Sequence, residues 1–211
     1  MNSFDLFSIL TSAVLMVGYY VFLLIEVRRD PTRTIIGVAA ARRREWVRSV
    51  MTDRRDILAV QTLRNWTMAA SFLATTAVLI ATGALHFLTT FPDEPALLHA
   101  LNFLGSVTPA YITVKLFAII ASLLIAFFNY AVAIRYYNHV SIEINVPLSS
   151  AAQEETAAVQ RLMDRAGLHF AIGMRCFYLA IPLALWLFGA LWLLLGSIGL
   201  CISLFIMDHV R

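Results

Sequence analysis

Apolar residues fall into four long runs, at about 4–25, 66–91, 110–137 and 177–207. Each exceeds the roughly 20 residues that an α-helix needs to cross ~30 Å of hydrocarbon. Only helices and closed barrels satisfy the backbone inside lipid, and runs of this length predict helices. The expected fold is therefore an all-α integral membrane protein. It is one domain of four transmembrane helices, with 26–65 and 138–176 as the cytoplasmic connections. The last run is long enough to require tilt or a protruding end. The opening MNSFDLF has no basic stretch, and no small-residue cleavage site follows, so the first run is expected to stay as an anchor.

Polar residues inside these runs recur with helical spacing. In the second run, Thr67, Ser71, Thr75, Thr82 and His86 fall within about 100° of a helical wheel. Arg64 shares that arc and Gln61 lies at its edge. In the third, Lys115, Ser122, Asn129 and Tyr136 are spaced by seven residues. A seven-residue step drifts only ~20° on a straight helix, so this line rises about 31 Å along one face. The first run repeats the rule with Asp5, Ser12, Tyr19 and Glu26. In the fourth the series reads Arg175, Pro182, Gly189, Gly196, Ser203, which is small rather than polar in its latter half. One seam per helix predicts a bundle whose seams turn inward or toward a neighbouring subunit. Ser and Thr at such positions mostly serve as packing glue, worth about 0.6 kcal/mol per interhelical hydrogen bond. Asn129 requires a partner, and Lys115 must be paired or snorkel outward.

The connections read as amphipathic helices. In GVAAARRREWVRSVMTDRRD, Trp46, Val47, Val50 and Met51 share an arc flanked by Arg42, Arg44 and Arg48. That pattern suits a helix at the headgroup boundary with snorkelling Arg stems, each near-surface Arg adding ~1 kcal/mol on anionic lipid. A plain topology determinant is the simpler reading of the same residues. In SSAAQEETAAVQRLMDRAG, Ser150 and Gln153 suit a capping box and Gly167 a helix stop. Its apolar face, Val159, Leu162, Met163 and Ala166, is expected to pack on the first connection or on a partner. SIEINVP, β-branched and ending in proline, is expected to be extended.

Composition and charge fix the class and the orientation. The chain of 211 residues is 60% hydrophobic and 14% charged, with a mean hydropathy of +0.78, too apolar for a soluble domain of this length. Of sixteen basic residues fifteen are Arg, and ten of these lie between Arg28 and Arg64, whereas 92–109 has none. The positive-inside rule then places 26–65 and 138–176 in the cytoplasm and both termini outside the cell (inner) membrane. Glu26, Gln61, Arg64, Asn65, Arg135, His139 and Arg175 gather at the inner ends, where one polar network is expected with Glu26 paired to an Arg. Asp5, His86, Lys115 and Asp208 are placed toward the outer ends. Cys176 and Cys201 would be roughly 37 Å apart on one helix, too far to bridge.

Catalytic and metal chemistry finds no carrier. The five histidines lack ligand spacing. No phosphate loop, nucleophile elbow or pair of catalytic carboxylates occurs. No enzyme activity, cofactor or metal is expected, and no nucleic-acid motif accompanies the arginines.

Several strings together resemble the membrane family called domain of unknown function 599: DILAVQTLRNWTMAASFLATTAVL, VKLFAIIASLLIAFFNYAVAIRYYNHVSIEINVP, GMRCFYLAIPLALWLFG and DPTRTIIGVAAARRREWVRSVM. The resemblance spans about 30–189. It carries over Gln61, Arg64, Asn65, Lys115, Arg135, Tyr136, His139, Asn145, Pro147, Arg175, Tyr178 and Trp186. It implies a four-span membrane protein and no assigned activity. Two functions follow from the residues. One is a homo-oligomeric conduit for an ion, anions favoured by the Arg-rich inner face, or a small solute. The other is a structural or accessory membrane protein whose Arg-rich layer docks anionic lipids or a membrane partner protein.

Overall fold

The structure is a computed structural model that describes residues 3–53, 56–90 and 109–209. Within them run α1 (Ser3–Arg29), α2 (Ile35–Asp53), α3 (Asp56–Thr90), α4 (Pro109–Glu143), α5 (Ala152–Leu185) and α6 (Ala190–Asp208). By length and composition, all of these but α2 are long and apolar enough to cross a membrane, which makes five rather than the four expected.

The extra helix arises because the run 177–207 is broken. Pro182 cannot donate a helical hydrogen bond, and the helix tightens into a 3-10 turn at Trp186–Phe188. Gly189 then takes φ 138, a conformation that favours glycine. The chain reverses, and Gly196 returns against α5: a Cβ there would lie 2.8 Å from Leu185 Cδ1 and 3.2 Å from Pro182 Cα. The series Arg175, Pro182, Gly189, Gly196, Ser203 is therefore a folded-back contact and not a single seam.

α6 runs parallel to α1. Cys201 Sγ lies 3.5 Å from Met16 Sδ, and further along Asp208 meets Tyr19 and His209 meets Glu26. The start of α1 and the end of α6 thus lie at opposite ends of the bundle. The sequence puts both on one side; the added reversal sets them at opposite ends of the bundle. Asp208 moves with it, from the Lys115 end to the end where α1 stops and α2 begins, here called the basic end. Cys176 and Cys201, both free thiols, sit on different helices.

α4 packs between α3 and α5. From α3 it receives a row of alanines, Ala70, Ala74, Ala77 and Ala81, all buried. Small side chains let two helices approach closely. At the basic end α2 closes a core with Val47, Val50 and Met51 against Leu63, Tyr137, Val140, Val159 and Met163. The apolar arc read from the sequence is real, but it faces α5 and not a headgroup layer. Trp46, Trp66 and Tyr137 meet in series as tilted rings, with centroids 5.6 and 5.7 Å apart.

Two local expectations are corrected. Ser150 and Gln153 form no capping box: α5 starts after Ala151 without a side-chain cap, and Glu155 of its first turn instead accepts from Ser149, N–H to Oε2 3.0 Å and Oγ to Oε1 2.5 Å. It runs through Gly167 without stopping, and Arg43 lays its guanidinium where a Cβ of residue 167 would be. SIEINVP is not extended at its start, because α4 continues to Glu143 and then ends in a turn. The basic-free stretch 92–108 lies outside the described residues.

The outward faces are apolar. Phe7, Val14, Phe72, Leu79, Phe117, Phe128, Ile202 and Ile206 are all exposed. Exposed apolar surface on this scale marks a surface that meets lipid or another protein.

Candidate functional site

The seam of α4 faces α5, with Lys115, Ser122 and Asn129 buried and Tyr136 half-buried, and each of the four has a partner on α5 or in the turn that follows it. Lys115 Nζ stands 5.7 Å from the centroid of the Trp186 ring, and Asp5 of α1 acts on it electrostatically. Ser122 Oγ donates to Cys176 O at 2.7 Å. Asn129 donates to Ile125 O of its own helix at 2.9 Å, and its Oδ1 lies 2.9 Å from His169 Nδ1. An amide oxygen only accepts, so His169 carries its proton on Nδ1. Tyr136 stacks on the same imidazole, with centroids 5.9 Å apart. Lys115 is thus held inside the protein and does not snorkel. Asn129→Leu should cost roughly 0.6 kcal/mol, up to about 1.7, because it strips His169 of its acceptor. Unfolding in detergent measures it, and an unchanged midpoint would remove the bond from the list of stabilising contacts.

A second polar centre joins α1, α5 and α6 at the basic end. Arg175 Nη2 donates to Asp208 Oδ1 and Oδ2 at 2.8 and 2.9 Å, and Tyr19 OH donates to Oδ2 at 2.5 Å. The Arg175 guanidinium also lies 5.5 Å from the centroid of Tyr20. Toward the end of α1, His209 Nε2 pairs with Glu26 Oε2 at 2.7 Å. A backbone bridge from Thr34 to His209 fixes the chain there. Burial opposes the charged imidazole of His209. The Phe205 carbonyl, the Glu26 carboxylate and the charge of Asp208 outweigh it and raise the pKa above the ordinary 6.5.

That sign sets a pH dependence. A histidine with a raised folded pKa contributes its full stabilisation below the unfolded value and loses it as pH rises through the folded value. The protein should therefore melt at lower temperature on the alkaline side of neutrality than on the mildly acidic side. Glu26→Gln should flatten that slope. An equal slope in wild type and variant would show that this pair does not set it.

The expected single network at the inner ends does not form. Glu26 pairs with His209 and Arg175 with Asp208, at and just past the end of α6. Gln61, Arg64 and Asn65 on α3 lie exposed, as do Arg135 and His139 on α4. Of the α2 arginines, Arg44 pairs with Asp164 at 2.5 Å and Arg48 with Glu45 at 2.7 Å, while Arg42 is exposed.

The α3 stripe points away from the α4 contact. Thr67 is half-buried, and Ser71, Thr75, Thr82 and His86 are exposed. Thr62 and Thr76, off the stripe, donate to Leu58 O and Phe72 O of their own helix at 2.9 Å each. Among the described residues the hydroxyls of Thr67, Ser71, Thr75 and Thr82 make no such bond. No three His, Cys, Asp or Glu side chains gather to hold a metal ion among the described residues.

Residues 7–211 match the family model described as a protein of unknown function, DUF599. The chain belongs to the DUF599 family. No curated protein and no solved structure matches it. In this DUF599 protein the positions carried over from the resemblance divide by exposure: Lys115 is buried, Tyr136, Arg175, Tyr178 and Trp186 are half-buried, and Gln61, Arg64, Asn65, Arg135, His139, Asn145 and Pro147 are exposed. The sequence placed Asp208 at the opposite end, and the roles of His209 and His169 were not read from it. His169 and Cys176 are spaced by seven residues, matching the spacing of their partners Asn129 and Ser122, and that signal was available.

Proposed function

We propose that this DUF599 protein works in the membrane as a homo-oligomer whose copies meet along the α3 stripe, and that a small solute or anion passes beside that stripe. One observation carries the reading. The stripe from Arg64 to His86 rises about 33 Å, the thickness of the hydrocarbon layer, and it faces outward with hydroxyls that use no carbonyl of their own helix. Single polar groups facing lipid are costly, and a second copy would bury them. The α4 seam supplies the wall rather than the path, since α5 covers it. The basic end faces the cytoplasm of the cell membrane under the positive-inside rule. α1 then starts outside and α6 ends inside. Arg64 and Arg135 give the inner mouth its preference for anions.

The accessory reading is favoured by a different observation. The seam of α4 is fully engaged by helix packing, as structural glue would be. In that case the exposed Arg42, Arg64 and Arg135 meet anionic headgroups or a partner protein, and no catalysis is assigned in either case.

Cysteine cross-linking at Thr75→Cys and Thr82→Cys in native membranes, with anion and cation flux in liposomes, tests both. The conduit reading expects cross-linked copies and a flux reduced by Thr75→Leu. Cross-linking without flux leaves the accessory reading, and no cross-linking at either position defeats the α3 interface.

A further inference from the structure

Ser8 and Ser12 of α1 are 0% and 4% exposed, and neither hydroxyl finds a hydrogen-bond partner. Both lie on the face that carries Asp5, at i, i+3 and i+7, within about 60° of one another on the helix. Asp5 is itself 6% exposed and lies within electrostatic reach of Lys115, also 6% exposed. The register that sets Cys201 beside Met16 brings Ser197, one turn earlier and 1% exposed, level with Ser12. Charged and hydroxylic side chains of α1, α4 and α6 therefore share the half of the bundle away from the basic end.

A buried hydroxyl without a partner loses its hydration for nothing in return. Two of them side by side call for a molecule that both donates and accepts. A neutral hydroxyl-bearing molecule satisfies donors and acceptors alike.

We propose that Ser8 and Ser12, with Asp5 and Lys115, form a binding site for a small neutral hydroxylic molecule, either water or a polyol of about glycerol's size. The site is internal to one chain and does not depend on the α3 interface.

Two measurements on the full-length protein in lipid decide it. A dry orphan hydroxyl destabilises, so Ser8→Ala and Ser12→Ala would raise the melting temperature if the site held nothing. The proposal expects both variants to lower it, because each removes a hydrogen bond to the bound molecule. The second measurement does not rest on stability. Ser12→Cys is made with Cys176 and Cys201 replaced by Ala, and labelled with a small water-soluble methanethiosulfonate. A thiol must ionise to react, so labelling requires a hydrated site. Labelling slowed by glycerol but not by sorbitol identifies a small polyol. Labelling slowed by neither identifies water. No labelling in folded protein, or a raised melting temperature in both alanine variants, overturns the proposal.

Discussion

Asp208→Leu should cost about 3–5 kcal/mol, the usual cost of removing one partner from a buried ion pair. Its carboxylate accepts from Arg175 Nη2 at 2.8 and 2.9 Å and from Tyr19 OH at 2.5 Å. The two side chains of the pair are only 18% and 11% exposed, so solvent does little to screen them. Without Asp208 the guanidinium stays among apolar helices with Arg175 Nη1 already lacking an acceptor, and Tyr19 loses its acceptor as well. Desolvation explains why the pair itself need not be strongly stabilising. Arg175→Met combined with Asp208→Leu removes both charges and should recover most of the loss. Reversible unfolding in mixed micelles measures all three proteins. A single variant as stable as wild type, or a double variant no better than the single, would show that the pair is not what holds α6 to α5.

How far the sequence carries differs from helix to helix. α1, α3 and α4 follow from run length alone, since nothing interrupts their hydrophobicity. α5 and α6 do not separate, because Pro and Gly are ordinary in membrane helices and Pro182 and Gly189 look like tolerated residues. Only packing turns φ at Gly189 to 138. That single reversal carries Asp208 from one end of the bundle to the other, and with it the partner of Arg175. The levels of Glu26 and Arg175 were legible; their partners lay beyond the reversal.

The α3 stripe shows a second limit. Ala70, Ala74, Ala77 and Ala81 have the same periodicity as the Thr and Ser positions, and periodicity does not say which face turns inward. Close approach to α4 favoured alanine, and the hydroxyls turned out. On α4 the spacing of Lys115, Ser122, Asn129 and Tyr136 identified a line that is buried at its first three members and half-buried at the last. What it could not supply was the complement, because Cys176 and His169 of α5, and Trp186 in the turn after it, meet α4 in a register set in three dimensions.

Gly173→Leu should open that register. A Cβ at Gly173 would fall 2.7, 2.8 and 3.1 Å from Cε1, Cδ1 and Cζ of the Tyr130 ring. The ring cannot yield easily. It is 0% exposed, its hydroxyl lies 3.3 Å from Met174 Sδ, and Phe170 at 5.8 Å between centroids, Ala74 and Ala126 hem it in. Glycine inside a helix is disfavoured by about 1 kcal/mol against alanine, so propensity alone would predict a gain from any larger residue here. Overpacking costs about 1–3 kcal/mol where the surroundings cannot shift, and it wins at this position. The damage spreads along the helix, because the bonds Ser122–Cys176 and Asn129–His169 lie within a turn or so of Gly173. Gly18→Ala is the control: nothing lies within 4 Å of its Cβ, so it should stabilise by up to about 1 kcal/mol. Tyr130→Leu, made in the Gly173→Leu background, should return part of the loss by freeing the space the ring held. Thermal unfolding of the four proteins in the same detergent gives the comparison. A Gly173→Leu variant that melts with wild type would mean that α4 and α5 are not locked at Tyr130, and the buried α4 seam would then lose its role as the rigid wall of the bundle.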